Sequence, residues 1–227
     1  RAELRLEVGR KRFDARRYAD AERRLFSLAN DVPTRRIAAD ALLLAGRSQY
    51  RQNRTTAGKA TFERVAAGYP QEPAAAEALF ILADLEHDAG NLARAREFYH
   101  RAMADHPGVH ESGLAAMRLG GLAHIDGDFN AAASIFERYR EHQTDTRRTQ
   151  QAAYWAALSY LRMGDPASAN ERLRETLRLD PVSYYGMRAA DLLGESVWRT
   201  ALAPEPTVAP RTRAEVDSVM FRLDVLR

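Results

Sequence analysis

The sequence has 227 residues, of which 45% are hydrophobic and only 8% aromatic, and alanine is abundant. That mixture favours helices packed closely through small side chains over a β-sandwich, which requires many β-branched residues. The chain has no cysteine, which excludes disulfides, thiolate metal sites and cysteine nucleophiles. The formal net charge is +3, and acidic and basic residues alternate along the chain. This alternation indicates solvated helix faces and argues against a nucleic-acid partner.

Three sets of residues recur every 37 positions, which predicts repeated helix-turn-helix units. A small residue in each first helix and another in each second helix let the two helices approach closely, and a bulky residue one turn further on fills the space between them. The sets are Gly9, Gly46, Ala83, Gly120 and Ala157; Ala21, Gly58, Ala95, Ala132 and Ala169; and Leu25, Phe62, Tyr99, Phe136 and Leu173. Together they resemble the tetratricopeptide pattern of about 34 residues. The predicted fold is all-α, a right-handed α-solenoid of about five such units followed by C-terminal helices.

The connections between helices follow the same period. Prolines close the second helices, at Pro33, Pro70, Pro107 and Pro181, with Thr144 at the one vacant position. In the last three units a glycine is predicted to end the first helix in the left-handed conformation, and Asn or Asp to cap the second helix. These pairs are Gly90-Asn91, Gly127-Asp128 and Gly164-Asp165. Arg16 and Asn53 occupy the glycine positions of the first two units, which departs from the pattern.

Stacked units of this kind form a superhelix whose first helices line a concave surface. That surface is the default binding site; the other interpretation is that it is solvated or covers further domains of the same protein. Repeat phase assigns candidate binding residues to it from the third, fourth and fifth units. They are Glu77, Phe80, Asp84, His87 and Asp88; Met117, Gly121 and His124; and Tyr154, Leu158, Leu161 and Arg162.

The sequence contains no motif typical of catalysis or of a bound cofactor. A glycine-rich phosphate loop, HExxH, GxSxG and EF-hand spacing are all missing. His87 and His124 lie one repeat apart, with Asp84 or Asp88 as a further potential ligand. However, neighbouring first helices lie ~10 Å apart, which is long for two histidines on one zinc ion with bonds of ~2 Å. We therefore predict no catalytic residue, metal or cofactor in this chain.

The C-terminal third carries more specific motifs. Residues 151–157 read Gln-Ala-Ala-Tyr-Trp-Ala-Ala, residues 163–166 read Met-Gly-Asp-Pro, and residues 180–194 read Asp-Pro-Val-Ser-Tyr-Tyr-Gly-Met-Arg-Ala-Ala-Asp-Leu-Leu-Gly. They resemble the end of the α-superhelical domain of soluble lytic murein transglycosylases. There, an Ala-x-Tyr-Trp element precedes a helix that opens with Ser-x-Tyr-Gly and ends in Ala-x-x-Leu-Gly. The resemblance covers roughly the last third of the chain, and the remainder matches only as helical repeats.

The resemblance implies a division into three parts: a superhelical domain over residues 1–194, a Pro/Ala-rich linker over 195–212, and the truncated start of a further helical domain over 213–227. The chain begins with Arg1 and stops inside an amphipathic segment, so we expect it to be a piece of a longer protein. In the family, the catalytic domain carries a Glu-Ser element followed by Gly-Leu-Met-Gln. Glu195-Ser196 lacks that sequel and is assigned no catalytic role.

By this resemblance the chain is the non-catalytic arm of a peptidoglycan-cleaving enzyme. The parent protein would cleave the MurNAc–GlcNAc bond without hydrolysis and form 1,6-anhydromuropeptides, using a domain outside this chain. The arm would shape the enzyme and position its partners in the periplasm. Those partners are peptidoglycan glycan strands, an envelope protein or peptide, and the protein's own missing C-terminal domains.

Two other functions remain open. Periplasmic repeat proteins of envelope assembly also show Ala-x-x-x-Phe and Tyr-Pro elements, as in the segment from Phe62 to Pro70. The chain is on that interpretation a stand-alone adaptor that binds a protein partner, and a cytosolic peptide-binding adaptor is the third possibility. No apolar run approaches the ~20 residues that span a bilayer, so no transmembrane segment is predicted.

Overall fold

The computed structural model describes residues 1–31, 34–143 and 145–197. Regular structure in these ranges is entirely α-helical. The helices are α1 (Ala2–Asp14), α2 (Tyr18–Asp31), α3 (Arg35–Arg51), α4 (Thr55–Gly68), α5 (Pro73–Asp88), α6 (Leu92–Asp105), α7 (His110–Ile125), α8 (Phe129–Glu141), α9 (Thr146–Met163), α10 (Pro166–Leu179) and α11 (Tyr184–Leu193).

Helices α1 to α10 form five hairpins, and α11 packs after the fifth. The second helices begin at Tyr18, Thr55, Leu92, Phe129 and Pro166, each 37 residues after the one before. The prediction of a five-unit all-α solenoid is therefore confirmed. Pro33, Thr144 and the greater part of the predicted C-terminal linker and helix, residues 198–227, lie outside the described residues.

The repeated small residues act as spacers between the two helices of a hairpin. A Cβ atom added at Gly46 would lie 2.7 Å from Cε1 of Phe62, and one added at Gly120 would lie 2.6 Å from the ring of Phe136. Both rings are completely buried. Close packing thus follows directly from the sequence pattern, because the absence of a side chain at Gly46 and Gly120 leaves room for these two rings.

The turns inside the hairpins share one backbone geometry. Arg16 and Asn53 adopt the left-handed conformation with φ of 59° and 60°. The glycines at the same phase have φ between 76° and 82°, at Gly90, Gly127 and Gly164. The predicted turn is therefore present in the first two units as well, although a residue with a Cβ atom occupies it.

Two of the three predicted N-caps are confirmed. Asp128 accepts a hydrogen bond from the backbone N–H of residue 131, and Asp165 accepts one from that of residue 168. Asn91 makes no cap hydrogen bond; its Nδ2 donates to Glu86 instead, at 2.8 Å. The prediction of a side-chain cap at Asn91 was wrong because the amide nitrogen donates to the buried carboxylate of Glu86, which also pairs with Lys59, and this charge-assisted bond fixes the side chain in another orientation.

First and second helices occupy different sides of the solenoid. First helices of neighbouring units contact one another in the pairs α1/α3, α3/α5, α5/α7 and α9/α11. The second helices instead pack between the first helices on either side of them. The first helices therefore line the inner, concave face. None of the described helices combines the length and hydropathy that crossing a membrane requires.

Candidate functional site on the concave face

The last turn of each first helix places one side chain at the same repeat phase. We call these side chains the ladder residues. Each is at least partly exposed to solvent, and the exposed fraction of the residue reaches 42% at Tyr50 and 37% at Leu161. They are Phe13, Tyr50, His87, His124 and Leu161. Four of the five carry a flat ring, so the concave face presents a row of rings along its length.

Carboxylates lie half-buried beside α3 and α5. Glu77 on α5 forms an ion pair with Arg47 on α3. Burial raises the pKa of Glu77, and Arg47 opposes that rise. Burial also raises the pKa of Asp40 on α3, where Arg36 and Arg10 oppose it. This part of the face therefore holds carboxylates that are partly removed from water and are stabilised by arginines.

Asp84 connects the concave face to the core. It accepts a hydrogen bond from the hydroxyl of Tyr99 and lies 3.8 Å from Nε of Arg118. Burial, together with the bond to Asp84, raises the pKa of Tyr99 well above its usual range. The rings of Phe80 and His87 lie 6.0 Å and 6.5 Å from the Tyr99 ring, centroid to centroid. Asp84 is thus engaged within the fold, whereas the neighbouring Asp88 is exposed.

His124 occupies a pocket formed by the fourth and fifth units. Its Nδ1 lies 3.1 Å from Oγ of Ser159, and its ring meets Phe129 and Trp155 edge-on, with centroid distances of 5.1 Å and 6.0 Å. Burial lowers the pKa of His124, and the charge of Arg162 lowers it further. The Arg162 guanidinium itself lies 4.7 Å above the Phe129 ring.

The two histidines thus have separate environments. His87 packs against Tyr99, and His124 contacts Ser159 across the next junction. Within residues 1–31, 34–143 and 145–197, no group of three or more His, Asp or Glu side chains could hold a metal ion.

The candidate residues of the fourth and fifth units differ in accessibility. Tyr154 is only 6% exposed and packs against Trp155 and Tyr185, with centroid distances of 6.1 Å and 5.3 Å. Its side chain belongs to the core between α9 and α11. Met117, Gly121 and Leu158 are partly buried, whereas Leu161 and Arg162 are exposed, as repeat phase implies for a surface position.

Sequence reasoning missed the first two units of this face. A cavity of about 370 Å³ opens there, lined by Phe13, Arg47, Tyr50, Arg51, Phe62 and Ile81. The repeat period was the signal that could have located it, because Phe13 and Tyr50 precede His87 at intervals of 37 residues. The candidate set began at the third unit and so omitted them.

The C-terminal motif has a structural explanation. Gln150 is almost completely buried; its Nε2 donates to the carbonyls of Thr176 and Asp180, at 2.9 Å and 2.7 Å, and its Oε1 accepts from Ser183 at 2.9 Å. Ser183 in turn caps α11 by accepting from the N–H of Gly186. A Cβ atom at Gly186 would lie 2.1 Å from the carbonyl oxygen of Asp180. These residues hold the connection from α10 to α11 against α9.

Comparison with known protein families agrees with this architecture. Two family models, both described as tetratricopeptide repeat, match residues 43–110 and 151–181. The chain carries tetratricopeptide repeats. No curated protein sequence matches it.

Several solved structures share the fold. MamA of AMB-1 superposes with a TM-score of 0.52 at 18% identity, covering 83% of this chain and 96% of MamA. A tetratricopeptide repeat protein from Parabacteroides merdae gives 0.55 at 17% identity, with coverage of 88% and 76%. PilW, a widely conserved type IV pilus biogenesis factor, gives 0.52 at 15% identity, with coverage of 91% and 95%. At these identities the similarity establishes the fold alone.

Proposed function

We propose that this chain is a protein-binding adaptor that acts in assembly of the bacterial cell envelope and binds a segment of its partner along the concave face. Tetratricopeptide solenoids present extended concave surfaces of this kind for binding. The envelope assignment draws on the sequence resemblance of the repeat units to periplasmic repeat proteins. The PilW structure, a pilus biogenesis factor with the same fold, is compatible with it.

The observation that carries the proposal is the row of ladder residues. Five partly exposed side chains at one phase, four of them rings, line consecutive first helices. Aromatic side chains are enriched at interfaces because they bury a large area at a low cost in conformational entropy.

Site-specific photocrosslinking tests this proposal. The photoreactive residue p-benzoylphenylalanine is introduced at Tyr50 or Leu161 on the concave face, and at Arg64 or Arg178, exposed on α4 and α10, as matched controls. We expect discrete protein adducts in cells from the two concave positions and none from the two outer positions. Adducts that form equally from all four positions, or only from the outer ones, would contradict a concave binding site.

A second candidate function is the non-catalytic arm of a lytic transglycosylase, positioning peptidoglycan strands. It is supported by the resemblance of residues 151–194 to that family, although the hydrogen bonds of Gln150 and Ser183 give those residues a structural role in any α11-containing solenoid. The coding sequence after Arg227 discriminates between the two. A downstream domain with Glu-Ser and Gly-Leu-Met-Gln elements supports the enzyme, and an early stop codon supports the adaptor.

Binding to purified sacculi separates the same two functions biochemically. We expect the chain itself to release no anhydromuropeptides, since it has no catalytic motif. We also expect it to bind the sacculi weakly at most. Strong sacculus binding that is lost on substitution of concave residues would favour the enzyme arm over the adaptor.

A further inference from the structure

A cavity at the N-terminal end of the concave face is large enough to receive a side chain. Its volume of about 370 Å³ falls within the ~300–1,000 Å³ typical of ligand sites. Residues of three consecutive first helices form its walls, with Phe13 from α1, Tyr50 from α3 and Ile81 from α5. A bound segment would therefore touch three units at once.

The floor of this cavity is apolar and fixed. Phe62 is completely buried and held against Gly46, and Phe13 stacks edge-on with Tyr18 at 5.3 Å. The Phe13 ring, which is partly exposed, is therefore preformed for contact, so little entropy is lost on binding. The chemistry of the floor suits a large apolar side chain.

The rim is cationic. Arg47 and Arg51, the two charged residues among those that line the cavity, give it this charge. Among the described residues, Arg47 pairs with one carboxylate, that of Glu77. Arg51 has no carboxylate of the described residues within ion-pair distance, and Asp14 is no exception. A guanidinium has five N–H donors, so both arginines retain donors for an incoming carboxylate.

We infer that this cavity binds a large apolar side chain of a protein partner, while Arg51 and Arg47 bind an acidic residue next to it. The partner segment is therefore acidic around an apolar anchor. The inference rests on the proposed function, because it specifies which kind of polypeptide the concave face accepts. Apolar burial supplies the affinity, and the charge complementarity of the rim selects acidic over basic segments.

Fluorescence anisotropy with a labelled synthetic peptide tests the inference. The probe is Gly-Ser-Glu-Glu-Phe-Glu-Glu-Ser-Gly, compared with versions in which Ala replaces Phe or Lys replaces every Glu. We expect the full chain to bind the probe, and the Ala version to bind at least about tenfold more weakly, as burial of a Phe side chain implies. We expect the Lys version not to bind.

Variants of the protein locate the site. Arg51→Ala is expected to weaken binding of the probe by about threefold to tenfold at low salt, with a smaller effect at high salt. Tyr50→Ala is expected to weaken it as well. Arg64→Ala, which removes an exposed arginine on α4, serves as the matched control and is expected to leave binding unchanged. Circular dichroism establishes that each variant retains its helices.

Three results would overturn the inference: no binding of the probe, equal binding of the Phe and Ala versions, or equal effects of Arg51→Ala and Arg64→Ala. Tighter binding of a labelled oligonucleotide that depends on Arg51 would assign the cavity to a nucleic acid and would overturn it too. These failures are distinguishable from failure of the proposed function, because crosslinking from Tyr50 and Leu161 reports concave binding of any protein, whatever its charge.

Discussion

The first two units and the last three reach the same turn with different residues. Gly90, Gly127 and Gly164 adopt the left-handed conformation without a steric penalty, whereas Arg16 and Asn53 adopt it with a Cβ atom present. What the two regions share is the packing of a small first-helix residue against a bulky second-helix residue, as at Gly46 with Phe62 and Gly120 with Phe136. The comparison indicates that packing between the helices determines the left-handed conformation of the turn. The residue at the turn changes only the free energy that this conformation costs.

The largest expected effect lies at the C-terminal end, where backbone approaches backbone. Gly186→Ala would place a Cβ atom 2.1 Å from the Asp180 carbonyl oxygen, so the α10–α11 connection must move. We expect a loss of about 3 kcal/mol in the stability of the last unit. The second, third and fourth units have no counterpart of this requirement, since Ala38, Ala75 and Ser112 hold the same phase.

Hydrogen exchange measures this effect, because it reports the opening of α11 separately from the rest of the chain. The matched control is Gly121→Ala, where no atom lies within 4 Å of the added Cβ and the substitution should stabilise α7 by up to about 1 kcal/mol. Unchanged protection of α11 in Gly186→Ala would show that the connection has more room than its geometry indicates.

The next effect tests whether hairpin packing is equivalent in the two regions. Gly46→Ala and Gly120→Ala each direct a methyl group into a completely buried ring. We expect both to cost about 2 kcal/mol in urea unfolding. Combining Gly46→Ala with Phe62→Leu recreates the pairing that Ala157 makes with Leu173 in the fifth unit, and the double variant should recover part of the loss. A large loss at one glycine alone would show that the two regions are packed differently.

The fold was predictable because the residues that set it recur at a fixed period. Spacer residues such as Gly46 and ring residues such as Phe62 specify the distance between helices, and a period specifies stacking. The N-caps at Asp128 and Asp165 were predictable for the same reason, since capping is a local interaction. The cap at Asn91 was not, because its amide is bound by Glu86, which comes from the preceding helix.

For the candidate site, the sequence predicted on which side of its helix each residue lies but not how exposed its side chain is. Repeat phase gives the side of a helix on which Tyr154 lies, yet it does not show that α11 covers this residue. Phe80 and Met117 share that phase and are only partly buried. The positions of Phe13 and Tyr50 on the concave face could have been predicted from the sequence, because the same period that identified His87 and His124 extends to both.

A smaller effect exchanges the turn residues of the two regions. Arg16→Gly relieves a left-handed residue that carries a Cβ atom and is expected to stabilise the chain by about 1 kcal/mol. Gly127→Ala introduces the same penalty in the fourth unit and should destabilise by about 1 kcal/mol. Urea unfolding of the two variants measures both changes. A gain in stability in Arg16→Gly together with a loss in Gly127→Ala would support the conclusion that helix packing determines the turn conformation. A loss of stability in Arg16→Gly would show that the Arg16 side chain itself stabilises the first unit.

The smallest expected effect concerns pH, and it arises in the C-terminal region. Burial and Arg162 lower the pKa of His124, so the unfolded chain binds the proton more tightly than the folded chain does. As the pH falls through the unfolded value of about 6.5, stability is therefore lost. Burial lowers the pKa of His106 in the same direction. Burial raises the pKa of Asp40 in the second unit and of Glu77 in the third. These two shifts stabilise the folded state only as the pH falls further, towards the range in which carboxylates titrate.

Urea unfolding at pH 7.5 and pH 5.5 tests the contribution of His124. We expect the wild type to lose stability over this interval and His124→Gln to lose less, because Gln retains a polar contact with Ser159 but does not titrate. Comparing each protein with itself at pH 7.5 removes any effect of the substitution on packing. Hydrogen exchange should place the wild-type loss in α7 and α9, the helices that His124 joins, and leave α1 to α4 unaffected. An equal loss in both proteins would show that His124 does not couple pH to the stability of this region.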